Sequence, residues 1–287
     1  MQIRNLLNLE SKILNQNLIQ ESFIVIYFVE IFSEINLSFY LFFYLLINMS
    51  SKYDAVWINA SPSLKKFDLP LQQHLSKLFK ITPWEYIQND CDESSSIETA
   101  LELLYIFFLK SELYQVHLIG HGISGAIALL FARLYPWRIR TLTLLAVSPQ
   151  PATTWHAHYY TQRHLFFNFS RQEILTNIVH SLFGIHRIPH RIDSLIAALD
   201  KDLNMSPCMH SLFKIVNFPA ETVSVPLMVC GSNTDTIVSK NTINTWTEYF
   251  KNGDTLWFCP DGYHFFHYFH PQLVGNQINH FWQNHSV

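Results

Sequence analysis

The segment that most restricts the fold of this chain is an apolar strand that runs directly into an apolar helix. Residues 115–120 (QVHLIG) have the uninterrupted hydrophobic character of a strand buried on both faces, and residues 125–135 form a helical segment rich in Ala and Leu. Strands buried on both faces occur mainly in parallel sheets that helices cover. The segment therefore predicts an α/β protein.

Strand-like and helix-like segments alternate through the chain from Ser50 onward. The predicted strands are residues 55–60, 83–88, 115–120, 142–147, 226–230 and 255–259. The predicted helices are residues 71–79, 97–110, 125–135, 241–250 and 271–282, with serines 94–96 suited to cap the second of them. This alternation predicts a mostly parallel sheet of about six strands with helices on both faces.

The alternation stops between residues 151 and 219, which contain helical segments, many aromatic and histidine residues, and no strand-like run. The insertion falls between two core strands, at the carboxyl edge where open α/β sheets bind ligands. We therefore predict a helical lid at about 151–219. Trp155, His158 and Tyr159 are candidates for lining a pocket beneath it, with packing inside the lid as the alternative.

Residues 1–48 form an apolar extension that differs from the rest of the chain. Its segment 23–47 is long enough to cross a membrane, but Glu30 and Glu34 lie in its middle, where a carboxylate costs about 2.5–3.5 kcal/mol. Three interpretations stay open: a membrane anchor, a helix docked on the domain, or upstream sequence that is not native. We favour the third, because Met49 opens a sequence typical of a soluble domain, which we expect to span 49–287.

Composition excludes several classes of protein. The chain of 287 residues is 49% hydrophobic and 14% charged with a net charge of −3, so it is not a disordered chain and has no general attraction to nucleic acid. Membrane contact is expected only if the extension is native. The four cysteines show neither a C-x-x-C pair nor a disulfide-framework spacing, which favours free thiols in a reducing compartment.

Three segments carry residues suited to hydrolytic chemistry. Residues 120–125 (GHGISG) join the buried strand to its helix, residues 225–238 (VPLMVCGSNTDTIV) contain Asp235, and residues 261–271 (DGYHFFHYFHP) contain His264. These segments resemble the nucleophile turn, the acid loop and the histidine loop of α/β-hydrolases, in the order of that family. The resemblance implies the α/β-hydrolase fold, with Asp235 and His264 as acid and base.

The resemblance covers about residues 50–282 and extends to uncharacterised hydrolase-like proteins of photosynthetic bacteria and algal plastids. It implies the plastid stroma or the cytoplasm as the location.

The family pattern breaks at the nucleophile. Gly122 stands where the family places serine; glycine suits the strained turn but has no attacking atom. A register shifted by two residues would present Ser124 instead, and in the unshifted register Ser124 caps or packs in the first helical turn. The resemblance also implies Ile123 and Ala60 as oxyanion-hole donors, although Asn59-Ala60-Ser61 replaces the usual His-Gly of the second loop.

Two further patterns suggest chemistry. His264, His267 and His270 are spaced by three, which suits a metal on one helical face, but no carboxylate or cysteine completes a recognisable ligand set. We expect neither a metal nor a cofactor. Cys230 and Cys259 lie near the candidate site, where we expect them to be buried packing residues.

These observations predict a hydrolase-fold protein that is non-hydrolytic or altered in its chemistry. It is either a pseudoenzyme that binds a small apolar carbonyl-type ligand, or a protein whose His–Asp dyad moves a proton without a serine. The alternative is an active serine-type hydrolase of small esters or related carbonyl compounds that uses Ser124. The oligomeric state does not follow from the sequence.

Overall fold

A computed structural model describes residues 51–87, 96–207 and 219–286 of the chain. In these residues six strands form one sheet in the order β2-β1-β3-β4-β5-β6, and all neighbouring strands are parallel. The strands are β1 Ala55–Asn59, β2 Ile81–Glu85, β3 Val116–His121, β4 Ile139–Leu145, β5 Leu227–Ser232 and β6 Thr255–Cys259. The predicted parallel sheet of about six strands is confirmed.

Helices connect the strands and pack on both faces of the sheet. Those before the insertion are α1 Leu69–Leu75, α2 Ile97–Lys110 and α3 Gly122–Leu134. Those after it are α7 Lys240–Asn244, α8 Phe266–Phe269 and α9 Pro271–Gln283. Short 3₁₀ helices span Pro62–Phe67, Pro136–Arg138 and Thr245–Glu248.

The two faces of the sheet have separate cores because successive side chains of a strand point to opposite sides. Along β1, Val56 and Ile58 belong to the cluster that contains α2 and α3. Ala55 and Trp57 belong to the other cluster, with side chains of α1 and α9. This alternation explains why strands with five or six buried residues in succession have helices on both sides.

Three helices lie between β4 and β5, as predicted for the lid: α4 Trp155–Leu165, α5 Arg171–Phe183 and α6 Ile192–Met205. Residues 208–218 of that insertion lie outside the described residues. So do residues 1–50, and with them every expectation about the N-terminal extension. In the described ranges no helix combines the length and apolar character required to cross a bilayer.

The element boundaries differ from the predicted ones at a few positions. β2 begins at Ile81 and includes Pro83, which is tolerated because β2 pairs only with β1 among the described strands and lies at the edge of their sheet. The predicted helix 241–250 is the short helix α7 followed by a 3₁₀ turn. The difference that matters for function is that α3 begins at Gly122, three residues earlier than predicted.

Candidate active site

A tight turn between β3 and α3 forms the centre of the site. Gly122 has a φ of +52°, in the left-handed region that side chains disfavour. Gly120 is also required, since a Cβ atom there would lie 2.7 Å from the backbone nitrogen of Gly125. The strand and the helix therefore approach each other closely, and residue 122 projects from the carboxyl edge of the sheet.

Asp235 and His264 are brought together at this edge. His264 Nδ1 lies 2.9 Å from Asp235 Oδ2, and both side chains are buried. The other carboxylate oxygen accepts hydrogen bonds from the backbone N–H groups of Ile237 at 2.8 Å and Val238 at 3.1 Å. Because a carboxylate only accepts, Nδ1 carries the proton and Nε2 of the neutral imidazole presents a lone pair.

That Nε2 atom faces Gly122. It lies 3.5 Å from the position of a Cβ atom on Gly122. It is buried and has no hydrogen-bond partner among the described residues. A cavity of about 20 Å³ lies beside it, which is large enough for one water molecule. The cavity is lined by Ser61, Leu64, Asp68, His121, Gly122, Ile123, Ser124, Trp155, His264 and Phe265.

Ser124 lies in the first turn of α3, and the backbone turn is made by Gly122. β3 ends at His121, so the structure adopts the unshifted register. Ser124 Oγ accepts a hydrogen bond from the Ala60 N–H at 2.8 Å. Ala60 was one of the two oxyanion-hole candidates, and its donor is therefore engaged by a side chain. Ile123, the other candidate, lines the cavity, and its N–H lies in the first helical turn, where α-helices leave such groups without an intrahelical acceptor.

Of the three lid candidates, Trp155 lines the cavity. His158 donates from Nε2 to the carbonyl of Ile237 at 3.0 Å, next to the Asp235 turn, and does not line it. Burial lowers the pKa of His158. Tyr159 is buried in the lid core, with the Arg171 guanidinium 5.7 Å from its ring centroid. Trp155 thus lines the cavity and Tyr159 packs inside the lid, because successive positions of α4 face different surroundings.

The lid is tied to the loop after β1 by buried polar groups. Ser61 Oγ donates to Asp202 Oδ2 at 3.0 Å, and His156 Nε2 lies 3.2 Å from the same oxygen. Asp202 and His156 are fully buried, and the His156 ring packs on Trp155 with centroids 4.0 Å apart. Sequence reasoning missed Asp202 and His156, since residues in α4 and α6 carry no motif that pairs them.

The three histidines of the H-x-x-H-x-x-H run contact three different carboxylates. His264 pairs with Asp235, His267 Nε2 lies 2.9 Å from Asp68 Oδ1, and His270 bonds Asp261. They do not share one ligand site.

A different set of residues comes together instead. One ligand atom each from Asp68, His121 and His267 lies within 4.8 Å of the other two, and all three residues are buried. Sequence reasoning missed Asp68 and His121. Burial holds the pKa of His121 well below its usual value, and the neighbouring His267 and His264 lower it further.

The two cysteines near the site are buried, as predicted. Burial raises the pKa of the Cys230 thiol, and burial raises the pKa of Cys259 to about 11. Both are therefore protonated near neutral pH, which does not suit a nucleophile.

The fold defines the chain as an α/β-hydrolase-fold protein. It superimposes on VinJ with a TM-score of 0.65 at 11% identity, over 83% of this chain and 92% of that one. The TM-score is 0.61 for both a bacterial membrane phospholipase A (14% identity, 80% and 78% of the two chains) and the carboxylesterase CesB of Bacillus subtilis (13%, 81% and 84%). At such identities the similarity establishes the fold alone.

More particularly, the chain belongs to the family of two cyanobacterial proteins. It is 52% identical over 235 residues to uncharacterized protein alr2406 of Nostoc sp. (strain PCC 7120), covering 82% of this chain and 92% of that protein. It is 37% identical over 237 residues to uncharacterized protein sll0249 of Synechocystis sp. (strain PCC 6803), covering 83% and 93%. No protein-family model matches the chain. The resemblance to proteins of photosynthetic bacteria is thus confirmed.

Proposed function

We propose that the Asp235–His264 dyad acts as a general base on a water molecule or small polar group held above Gly122, without an acyl-enzyme. The observation that carries the proposal is the buried, unpartnered Nε2 of His264 beside a cavity of about 20 Å³. A buried polar atom without a partner costs about 1–3 kcal/mol. A water molecule in the cavity would remove that cost by donating a hydrogen bond to Nε2. At that distance Nε2 could accept the proton of the water as a general base.

Two features argue against serine-type acyl transfer. Gly122 has no side chain to attack a carbonyl. The Ala60 N–H, which would stabilise an oxyanion, already donates to Ser124 Oγ at 2.8 Å. Loss of one oxyanion-hole donor costs about 10²–10³ in kcat, so attack on a carbonyl at this site, by water as well as by a serine, should be slow.

A serine-type hydrolase that uses Ser124 is the second candidate, because Ser124 lines the same cavity. Its hydroxyl accepts from Ala60, and among the described residues no acceptor takes its own proton. For attack, Ser124 would have to leave Ala60 and approach His264. The general-base function requires neither movement.

The ligand that suits this cavity is small, with an apolar part and at least one polar group, because apolar and polar side chains both line it. Leu64, Ile123, Trp155 and Phe265 supply apolar walls, and His264 supplies the acceptor. A small carbonyl compound has this character, and a ligand larger than water requires the lid to move. The cyanobacterial relatives and the free thiols of Cys230 and Cys259 support the plastid stroma or cytoplasm as the location.

The test combines a covalent probe with a small activated ester. Purified protein should give no fluorophosphonate adduct by intact-mass spectrometry, and should hydrolyse p-nitrophenyl acetate slowly without a burst. His264→Ala and Asp235→Asn should lose that turnover, whereas His280→Ala, at an exposed histidine on α9, should retain it. An adduct on Ser124 would favour the serine-type candidate. Turnover independent of His264 would refute the dyad's role.

A further inference from the structure

We propose that Asp68, His121 and His267 bind a divalent transition metal, with Zn²⁺ as the best match, at the wall of the cavity. The three residues come from separate elements. Asp68 directly precedes α1, His121 ends β3 and His267 lies in α8. Asp68 and His267 are separated by 199 positions in the chain, so only the fold assembles the set.

The distances suit a tetrahedral site after small side-chain adjustments. Zinc bonds of about 2.0–2.1 Å place neighbouring ligand atoms about 3.3 Å apart in a tetrahedron. Asp68 Oδ1 and His267 Nε2 are already 2.9 Å apart. One ligand atom from each of the three residues lies within 4.8 Å of the others. Side-chain rotation of an ångström or so would therefore complete the arrangement.

The burial of the ligand set is a second observation. His267 is completely buried, and its Nδ1 has no partner among the described residues. Without a metal, its hydrogen bond to Asp68 uses one ring nitrogen and leaves the other unpaired. A metal on Nε2 would replace that hydrogen bond and place the imidazole proton on Nδ1, so it accounts for two imidazoles and a carboxylate gathered in a buried region, but not for the unpaired Nδ1.

Hydrogen bonds around the three side chains resemble those that orient metal ligands. His121 Nε2 donates to the carbonyl of His264 at 3.0 Å, which leaves Nδ1 of His121 with a free lone pair. Trp57 Nε1 donates to Asp68 Oδ2 at 3.3 Å, so Oδ1, which is bonded to His267 in the absence of a metal, is the oxygen that would bind the metal. Ligating histidines commonly donate their second N–H to a carbonyl in this way.

The donor set indicates which metals would bind. Two imidazoles and one carboxylate suit Zn²⁺ and neighbouring transition metals, whereas Mg²⁺ and Ca²⁺ prefer oxygen ligands. Three protein ligands leave one position open, as in catalytic zinc sites. Asp68 and His121 line the same cavity as His264, so the open position of the metal faces the proposed water. The relation between metal and water rests on the proposed function, whereas metal binding itself does not.

The test uses the full-length chain, stripped with EDTA and titrated with Co²⁺. We expect the visible absorption typical of tetrahedral Co²⁺ to saturate at one equivalent and to disappear when Zn²⁺ is added. His267→Gln and Asp68→Asn should weaken binding by more than about 100-fold, since loss of an outer partner alone costs about 10–100-fold. The matched control is His270→Gln, from the same histidine run but paired with Asp261, which should bind as the wild type does.

Absence of a saturable one-equivalent Co²⁺ signal from the wild-type chain would overturn the proposal, even if a variant fails to fold. Wild-type affinity in folded His267→Gln would also overturn it. His264→Ala separates the two proposals: it should lose ester turnover and still bind Co²⁺.

Discussion

The Nε2 atom of His264 lies 3.5 Å from the position that a Cβ atom would occupy on Gly122. This is ordinary van der Waals distance, so a side chain at residue 122 would meet the base directly without displacing it. The dyad is thus aimed at the place where α/β-hydrolases carry their nucleophile, although this chain has no side-chain atom there.

Gly122→Ser should create a residue that a fluorophosphonate labels. The new Oγ would extend from the Cβ position toward His264 Nε2, within hydrogen-bond reach. The left-handed backbone should cost about 1–2 kcal/mol, measurable as a lower Tm. Gly122→Ala is the control, because it carries the same backbone cost without the hydroxyl. A folded Gly122→Ser variant that stays unlabelled would show that the base does not activate this position.

Ser124→Ala should lower the free energy of unfolding by about 1–3 kcal/mol, because it leaves the buried Ala60 N–H without its acceptor. Urea unfolding measures the change. Ser181→Ala removes a hydroxyl bonded to Asn177 on the outside of α5 and should cost less than about 0.5 kcal/mol. Equal effects of the two substitutions would mean that the Ala60 contact contributes nothing specific.

His117 should make the protein less stable in mild acid. Burial, followed by the charges of Arg140 and His285, lowers the pKa of His117 to about 3. The unfolded chain takes up the proton near pH 6.5, so stability that is fully present above pH 6.5 is lost as the pH falls toward 3. The loss amounts to at most about 1.4 kcal/mol per pH unit.

His117→Phe tests that prediction, because the ring packs on Trp282 and its Nε2 has no partner in the described residues. Between pH 7 and pH 5 the variant should lose about 2 kcal/mol less than the wild type. His280→Ala, at an exposed site, should leave the pH dependence unchanged. The same slope in His117→Phe would show that His117 titrates alike in the folded and unfolded chains.

Asp202→Ala should destabilise the lid. Leaving a buried donor without its acceptor costs about 1–3 kcal/mol, and here Ser61 loses its acceptor and His156 loses a carboxylate oxygen 3.2 Å away. Hydrogen exchange should accelerate in α4 and α6. Asp200→Ala is a matched control on the same helix, since Asp200 pairs with Arg171 at the surface and such pairs contribute less than about 1 kcal/mol. Equal hydrogen-exchange protection of α4 and α6 in the two variants would contradict the prediction that Asp202 stabilises the lid.

Local pattern predicted the parallel sheet, and the resemblance of three segments to α/β-hydrolases implied the pairing of Asp235 with His264. Buried strands, glycines at the turn and the order of three segments are all visible along the chain. Asp68 and Asp202 could not be found in that way. Asp68 meets His267 across 199 positions and Asp202 meets Ser61 across 141, so no spacing relates either aspartate to its partner. Ser124 was correctly considered as a helix residue, but its bond to Ala60 depends on a loop placed by β1.

The contact of Ser61 with Asp202 affects how fast a ligand can enter and leave the site. The contact joins the loop after β1 to helix α6, and Ser61 and Trp155 both line the cavity. A molecule larger than water does not fit the cavity of about 20 Å³, so the lid would have to move for it to reach His264. Lid opening should then limit the binding of such a molecule. The observed association rate should stop rising at high ligand concentration and equal the rate at which the lid opens.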